Sequence, residues 1–280
     1  FVHAIQRDIE TGHPQQGPEA AQVEEPRALE YPLDLLRRLG ECTGRLHAAF
    51  ATPTDDEAFR VETMDRADME VLMRDVAAQA ESALLGLERG LVGFPKPLQE
   101  QVERLLTRRK DIDRRLKALG KRQPLGHKSR IHGDYHLGQV LVAQQDLFII
   151  DFEGEPRRTL EERRAKSSPL RDVAGMLRSF DYAAWTAALA VGAGATEPGW
   201  SAAEAARSWR GRLSSEFLDG YWSATPEPLA SADPADRDEL LALFLLQKAF
   251  YEVNYEISNR PDWIGIPVQG ILDLIEGDAS

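Results

Sequence analysis

Apolar residues recur at helical spacing over most of the chain, and this pattern predicts a mainly α-helical protein. The first such series consists of Leu33, Leu36, Leu39, Thr43 and Leu46. Residues three or four positions apart share one face of a helix, so this series predicts an amphipathic helix that begins near Pro32. The same reasoning predicts helices over residues 66–87, 97–119, 170–191, 201–221, 235–257 and 267–275.

The middle of the chain has a different texture. Residues 129–131, 140–142 and 148–151 are short, largely apolar segments, and a turn at residues 143–146 separates the last two. This arrangement predicts a loop followed by a β-hairpin. Nothing before Ser129 is patterned like a sheet. We therefore expect a mainly α fold that carries one small β-hairpin.

The composition limits the class of protein. Of the 280 residues, 42% are hydrophobic and 29% are charged, which is usual for a globular protein. No apolar stretch approaches the roughly 18 residues that a membrane span needs. The single cysteine, Cys42, excludes an internal disulfide and suits a reducing cytoplasm, where we expect the protein to reside. A net charge of -12 disfavours nucleic acid and anionic membranes as general partners.

The segment at residues 131–139 carries the clearest chemistry. Asp134 lies in a Gly-containing loop, Gln139 follows five residues later, and Asp151 ends the apolar segment of the hairpin. Phosphoryl transfer needs a group that orients or deprotonates the attacking hydroxyl and oxygen ligands for the magnesium on the nucleotide. The spacing therefore indicates a kinase of small molecules, with Asp134 as the base and Gln139 and Asp151 as magnesium ligands. This predicted catalytic loop spans 131–139, and the metal-binding strand spans 147–153.

Neighbouring polar residues can either bind metal or support the loop. Glu153 is either a second metal ligand or a solvent-facing carboxylate. His132 and His136 lack the further ligands of a zinc site, so both are expected to support the loop structurally. Asp172 falls near a helix start, where it either complements the helix dipole or holds the backbone of the catalytic loop, and we favour the second role.

Three segments resemble the aminoglycoside-phosphotransferase-like kinases and, within them, the bacterial maltokinases, which are often fused to trehalose synthase. The segments are residues 131–139 (IHGDYHLGQ), residues 151–156 (DFEGEP) with 168–180 (SPLRDVAGMLRSF), and residues 248–256 (KAFYEVNYE). This chain has Gln139 where the superfamily usually has Asn, and Glu153 where the D-F-G motif has Gly. Maltokinases show both of these replacements. The resemblance extends over about residues 35–275.

The resemblance implies a fold and a reaction. The fold would be the C-terminal lobe of a protein-kinase-like, aminoglycoside-phosphotransferase-type structure at residues 33–280, after a linker at residues 1–32. The reaction would be transfer of the ATP γ-phosphate to the anomeric hydroxyl of maltose, with Mg²⁺ as the cofactor. By the same resemblance, Asp134 would be the base, and Gln139 and Asp151 would bind the metal.

The C-terminal helices at residues 235–275 are the predicted sugar-binding part. Tyr251 and Tyr255 are four residues apart and share a helix face, and Arg260 follows closely. Aromatic pairs at this spacing often belong to a core. The resemblance makes a sugar-binding role for Tyr251, Tyr255 and Arg260 an equal alternative.

A nucleotide-binding lobe is not apparent in the sequence. Kinases place a lysine on a strand of that lobe, whereas this chain has no lysine before Lys96. The opening residues 1–5 (FVHAI) resemble the family's segment just after the hinge between lobes. We therefore expect the C-terminal lobe alone, with its own N-terminal lobe and a fused or associated trehalose synthase as partners. Alone, it should bind sugar weakly and turn over little ATP. A degenerate kinase is the alternative.

Other functions stay open at this point. Residues 104–130 contain eleven Lys or Arg and two Asp, which would suit a nucleic-acid-binding module. However, no interleaved aromatic residues offer stacking for bases, so a solvated basic face is preferred. The chain could also be a non-catalytic helical docking module of an enzyme of trehalose or maltose metabolism. A kinase for another sugar or amino sugar is the third alternative.

Overall fold

A computed structural model gives the architecture over residues 30–119, 126–144, 146–192, 202–226, 229 and 233–276. The helices are α1 (Glu30–Phe50), α2 (Arg66–Gly90), α3 (Lys96–Thr107), α4 (Arg109–Leu119), α5 (Leu160–Arg164), α6 (Leu170–Gly192), α7 (Ala202–Ala224), α8 (Pro234–Asn259) and α9 (Gly265–Glu276). The strands are β1 (Glu62–Thr63), β2 (His127–Lys128), β3 (Val140–Ala143) and β4 (Asp146–Ile149). The prediction of a mainly helical fold with a small hairpin is confirmed.

The chain divides into two compact units. The first comprises Phe1–Ala49, Leu137–Ile150 and Ser179–Pro226, and the second comprises Phe50–His136, Asp151–Arg178 and Glu227–Ser280. Helix α6 passes from the second unit into the first at Ser179. Most of the linker predicted at residues 1–32 lies outside the described residues, which begin within it at Glu30 as the first residue of α1.

The first unit contains α1, the hairpin, the later part of α6 and α7. Helices α1 and α7 approach very closely, because a side chain at Gly40 would meet the carbonyl oxygen of Phe217 at 2.1 Å and one at Gly220 would meet that of Arg37 at 2.0 Å. His47 of α1 and Tyr221 of α7 are buried and share a 3.0 Å hydrogen bond. The hairpin is antiparallel, with Leu141 opposite Phe148.

The second unit is built on α2, α8 and α9. Helix α2 begins with a capping box, in which Asp65 and Asp68 each accept the backbone N–H of the other at 2.9 Å. Helix α8 begins with Asp233 as the N-cap and Pro234 in the first turn. The core consists of fully buried side chains, among them Val76, Leu84, Phe250, Val253 and Ile271. These long helices form the frame on which the shorter segments of the unit are held.

The structure corrects several predicted elements. The helix predicted over residues 97–119 is two helices, because the chain turns at Arg108 between α3 and α4. Ser129, in the first of the short apolar segments, forms an isolated antiparallel bridge with Ser167. The prediction that no sheet precedes Ser129 is wrong, because β1 and β2 pair antiparallel.

The end of the hairpin also differs from the prediction. Strand β4 ends at Ile149, so Asp151 lies beyond the strand instead of closing it. The backbone of Asp151 has a φ of 65°, in the left-handed region that residues other than Gly and Asn or Asp seldom adopt. The carboxylate is therefore presented from a sharp turn. None of the helices described here is both long and apolar enough to traverse a bilayer.

Candidate active site

A cleft in the second unit contains Asp134. Its lining comes from α2, from the loop after β2, from the segment after Asp151, from the start of α6 and from α8. The lining residues are Asp75, Gln79, Gly133, Asp134, Tyr135, Glu155, Arg158, Arg171, Asp172, Gly175, Phe244, Gln247, Lys248 and Tyr251. A concave site with several charged side chains is the usual setting for binding or catalysis.

The loop that carries Asp134 is shaped by a glycine. Gly133 has a φ of 86°, which a residue with a Cβ adopts only with strain. Gly154, which also has a positive φ, lies close by, since a Cβ at Gly133 would be 3.4 Å from the Cα of Gly154. The backbone N–H of Asp134 donates a 3.4 Å hydrogen bond to Nδ1 of the buried His132. His132 thus contacts the loop backbone.

Asp172 holds the backbone of the same loop. Its carboxylate accepts the N–H groups of His132 at 2.7 Å and of Gly133 at 2.9 Å. Asp172 is 2% exposed, and a buried carboxylate needs strong donors of this kind. One turn later, Gly175 lets α6 pass under the loop, because a Cβ there would lie 2.6 Å from the carbonyl oxygen of Tyr135. The start of α6 therefore fixes the loop that presents Asp134.

The electrostatics of Asp134 reflect its position. Burial raises the pKa of Asp134, while the nearby cation of Lys248 opposes this rise. Nε2 of His136 lies 4.0 Å from Oδ2 of Asp134, and burial lowers the pKa of His136. Glu155 acts on Asp134 in the same direction as burial. A carboxylate with a raised pKa accepts a proton more readily than an exposed one.

One wall of the cleft is a face of α8. The ammonium group of Lys248 lies 4.9 Å from the centre of the Tyr251 ring, a cation–π distance. Burial raises the pKa of the Tyr251 phenol, and a hydrogen bond to the carboxylate of Glu155 raises it further. Gln247, on the same helix, donates a hydrogen bond to the carboxylate of Asp75. These contacts link side chains of α8 to carboxylates that also line the cleft.

The aromatic surface continues beyond the cleft. The rings of Tyr251 and Tyr255 are stacked with centroids 6.4 Å apart, and Arg157 lies 4.6 Å from the Tyr255 centroid. Arg260 forms a bidentate ion pair with Glu256, with distances of 2.9 and 2.6 Å. Of the three residues predicted to bind sugar, Tyr251 lines the cleft, whereas Tyr255 lies one turn further along α8 and Arg260 is the C-cap residue of this helix.

The predicted metal ligands belong to different units. Gln139 lies in the first unit, where its backbone carbonyl oxygen accepts the N–H of Ile150 at 3.0 Å. Asp151 and Glu153 lie in the second unit. The side chains of Asp151 and Glu153 are exposed. Among the described residues, no cluster of three or more His, Cys, Asp or Glu is arranged to hold a metal. Oxygen donors of this kind nevertheless suit Mg²⁺, which often takes only one or two protein carboxylates beside water and phosphate.

Several cleft residues were not predicted from the sequence. Asp75 and Gln79 lie in the middle of α2, and Glu155 and Lys248 also line the cleft. Lys248 is three residues before Tyr251, so their shared helix face was a usable signal. Asp75 and Gln79 had no such signal in the sequence, because polar residues on a long helix usually face solvent.

Known proteins similar to this chain are kinases. The model of a family described as the phosphotransferase enzyme family (APH) matches residues 19–207. A glucosamine kinase from Streptacidiphilus jiangxiensis is 26% identical over 238 residues, which are 85% of this chain and 48% of that protein. A glucosamine kinase from Mycolicibacterium smegmatis is 30% identical over 149 residues, or 53% of this chain and 35% of that protein. The chain thus spans about half the length or less of these curated relatives.

Solved structures show a similar fold. A glucosamine kinase in complex with glucosamine, ADP and inorganic phosphate aligns with a TM-score of 0.66 at 24% identity, over 98% of this chain and 56% of that one. A second crystal form of a glucosamine kinase aligns with a TM-score of 0.68 at 23% identity, over 99% of this chain and 57% of that one. At such identities the likeness concerns the fold.

Proposed function

Because the chain belongs to the phosphotransferase enzyme family, we propose that it is part of a kinase that transfers the terminal phosphoryl group of ATP to a hydroxyl group of a sugar. The observation that carries the proposal is the setting of Asp134, which lies in a cleft on a loop whose backbone is held by Asp172. Since the chain spans about half the length of its curated relatives, the reaction is assigned to the whole protein.

The proposed roles follow the chemistry of phosphoryl transfer. Asp134 orients the acceptor hydroxyl and takes its proton, a role that its raised pKa suits. Gln139 and Asp151 would hold Mg²⁺, with Glu153 as a further candidate ligand. When bound, the metal neutralises charge on the phosphate oxygens of the nucleotide. His132 and Asp172 support the loop and contact no substrate.

We propose an amino sugar of the glucosamine type as the acceptor. The cleft contains Asp75 and Glu155, whose carboxylates can pair with an ammonium group. Gln247 and Tyr251 each donate a hydrogen bond to one of these carboxylates, which orients it. The curated relatives reported above are glucosamine kinases, which supports the same acceptor.

Maltose, the acceptor implied by the resemblance to maltokinases, is the second candidate. The stacked rings of Tyr251 and Tyr255 extend outward from the cleft, and this longer surface would suit a second sugar ring. A trehalose synthase as a partner belongs with this candidate. The two acceptors differ in charge, so a carboxylate variant separates them.

The test uses the longest natural polypeptide that contains these residues. ADP release is measured with glucosamine, glucose and maltose, and the phosphorylated product is identified by mass spectrometry. Asp134→Asn is expected to lower kcat about 10²–10⁴-fold because it removes the proton acceptor. Asp151→Asn should raise the magnesium concentration needed for half-maximal rate. The exposed Asp113→Asn serves as the matched control and should leave kcat unchanged.

Three outcomes would contradict the proposal in whole or in part. Failure to phosphorylate any of these sugars would remove the sugar-kinase assignment. Full activity of Asp134→Asn would favour the alternative of a non-catalytic docking module, because such a module does not depend on this carboxylate. Phosphorylation of maltose but not of glucosamine would replace the amino-sugar acceptor with the second candidate.

A further inference from the structure

A buried ion pair links two helices that border the cleft. Nε and Nη2 of Arg178, on α6, donate to the same carboxylate oxygen of Glu252, on α8, at 2.9 and 2.7 Å. Arg178 is 2% exposed and Glu252 is 8% exposed. Helix α9 closes over the pair, because a Cβ at Gly270 would lie 2.2 Å from Nη1 of Arg178. Only a glycine allows this approach.

Stability alone is a weak explanation for such a pair. Removing two charges from water is costly, and apolar side chains of similar volume often stabilise a protein at least as well. A directional ion pair does supply what apolar packing does not, which is a fixed angle and distance between two helices. The groups that such a pair can orient lie on α6 and α8.

Helix α6 connects the pair to the loop of Asp134. Asp172, Gly175 and Arg178 follow one another at intervals of three residues, so they are neighbours on the helix surface. Asp172 binds the loop backbone, Gly175 admits the carbonyl of Tyr135, and Arg178 binds Glu252. One short stretch of α6 thus holds both the loop and α8.

Helix α8 carries the opposite side of the cleft. Glu252 directly follows Tyr251 and lies four residues after Lys248, so any slide or rotation of α8 at Glu252 moves both side chains. A slide by one residue would shift them by about 1.5 Å along the axis. A displacement of about 1 Å is enough to impair catalysis strongly.

We propose that Arg178 and Glu252 are positioning residues, whose buried ion pair fixes Lys248 and Tyr251 of α8 opposite Asp134. The inference rests on the proposed function only in taking the cleft as the acceptor site. Neither residue touches the substrate. They act through α6 and α8.

The experiment measures the electrostatic interaction of Lys248 with Asp134, which depends on their separation. The carboxyl carbon of Asp134 is titrated by NMR in the chain itself and in Lys248→Met, and Asp134→Asn assigns the signal. The same two titrations are repeated in Arg178→Met/Glu252→Leu, in which apolar side chains replace the pair. Together the four proteins form a double-mutant cycle.

The expected result is a loss of this interaction. With the native ion pair, Lys248→Met should raise the pKa of Asp134, because Lys248 opposes the effect of burial. In Arg178→Met/Glu252→Leu, the rise in the pKa of Asp134 caused by Lys248→Met should be smaller by about half or more, because α8 is no longer fixed. An equal rise in both backgrounds would overturn the inference, because packing alone would then position Lys248.

Two further variants complete the design. Arg104→Gln/Glu276→Gln removes an ion pair between α3 and α9 that is more exposed, and it should leave the interaction unchanged. If Arg178→Met/Glu252→Leu does not fold, the same titrations are made in Glu252→Gln. This variant removes the charge but retains the shape of the side chain and one hydrogen-bond acceptor. An unchanged interaction in Glu252→Gln would overturn the inference. The titration needs no catalysis, so loss of the interaction in a protein without kinase activity would support this inference and refute the proposed function.

Discussion

The ammonium group of Lys248 lies over the ring of Tyr251, 4.9 Å from its centre, in the cleft that contains Asp134. Tyr251 in turn donates a hydrogen bond to Glu155. The ring of Tyr251 thus lies next to both a cation and a carboxylate, and the charge of Lys248 acts on Asp134 in the same cleft. This arrangement determines how the proposed base should respond to pH.

Lys248→Met is expected to shift the acid limb of the pH–rate profile to higher pH. Burial and Glu155 raise the pKa of Asp134, whereas Lys248, His136 and His132 lower it. Without the cation the pKa rises, and a base with a higher pKa is protonated at a higher pH. The acid limb of kcat/KM reports this group in the free enzyme.

The profile is measured from pH 5 to 9 with saturating ATP. Lys110→Met, which removes an exposed lysine of α4, is the matched control and should leave the limb in place. A limb that moves to lower pH, or does not move in Lys248→Met, would show that Lys248 does not act on the base.

Asp134→Asn should stabilise the protein near neutral pH. The pKa of Asp134 is raised by folding, so the folded state binds its proton more tightly than the unfolded state does. The cost to stability appears as pH rises from the unfolded value of 3.8 through the raised folded value. The Asn variant removes this cost. Its advantage should be largest above the folded pKa and should vanish below pH 3.8, where both states are protonated.

Asp68 supplies a control of opposite sign. Burial would raise its pKa, but hydrogen bonds from Lys128 and from the backbone N–H of Asp65 hold it below the usual value. Asp68→Asn should therefore destabilise the protein at neutral pH, and the loss should disappear as pH falls through the folded pKa. Urea unfolding at several pH values measures both variants. Equal pH dependence for the two would contradict the assigned electrostatics.

The polar contacts between distant helices in the cleft could not be predicted from the pattern of apolar residues. Periodicity located α2 and α8, because a helix face that is buried must be apolar at regular intervals. The same patterns treat Asp75 and Gln79 as solvent-facing, and only the packing of α2 against α8 brings them to Gln247 and Asn254. Polar contacts between distant helices have no local signature.

Local breaks were also hard to predict. The apolar series of Leu105, Ile112 and Leu116 continues across Arg108, and no Gly or Pro marks the turn there. Strands β1 and β2 have only two residues each, which is too short for an alternating pattern to be recognised. In contrast, Asp172 could be expected near the loop, because a charged residue at the start of an apolar helix requires strong donors.

Glu155→Gln should reduce selectivity for a charged acceptor. The variant retains a hydrogen-bond acceptor for Tyr251 but removes the negative charge that would pair with an ammonium group. We expect KM for glucosamine to rise about tenfold, equivalent to about 1.4 kcal/mol, while KM for glucose stays within about twofold. Glu161→Gln, on the exposed face of α5, is the control. A parallel rise for both sugars would indicate a general distortion of the cleft instead of charge recognition.

Gly175→Ala should destabilise the protein, whereas Gly211→Ala should stabilise it. Both glycines lie inside long helices, where alanine normally adds about 0.5–1 kcal/mol. A Cβ at Gly211 meets nothing within 4 Å, so this gain should be realised in full. At Gly175 the Cβ would lie 2.6 Å from the carbonyl oxygen of Tyr135, and this backbone atom can yield only by moving the loop. We expect a loss of about 1–3 kcal/mol in the free energy of unfolding by urea, as is usual for overpacking.

Amide exchange at His132 and Gly133 should accelerate in Gly175→Ala alone, because their hydrogen bonds to Asp172 lie in the same loop. Equal stabilisation by both substitutions would show that α6 does not support the loop at this point.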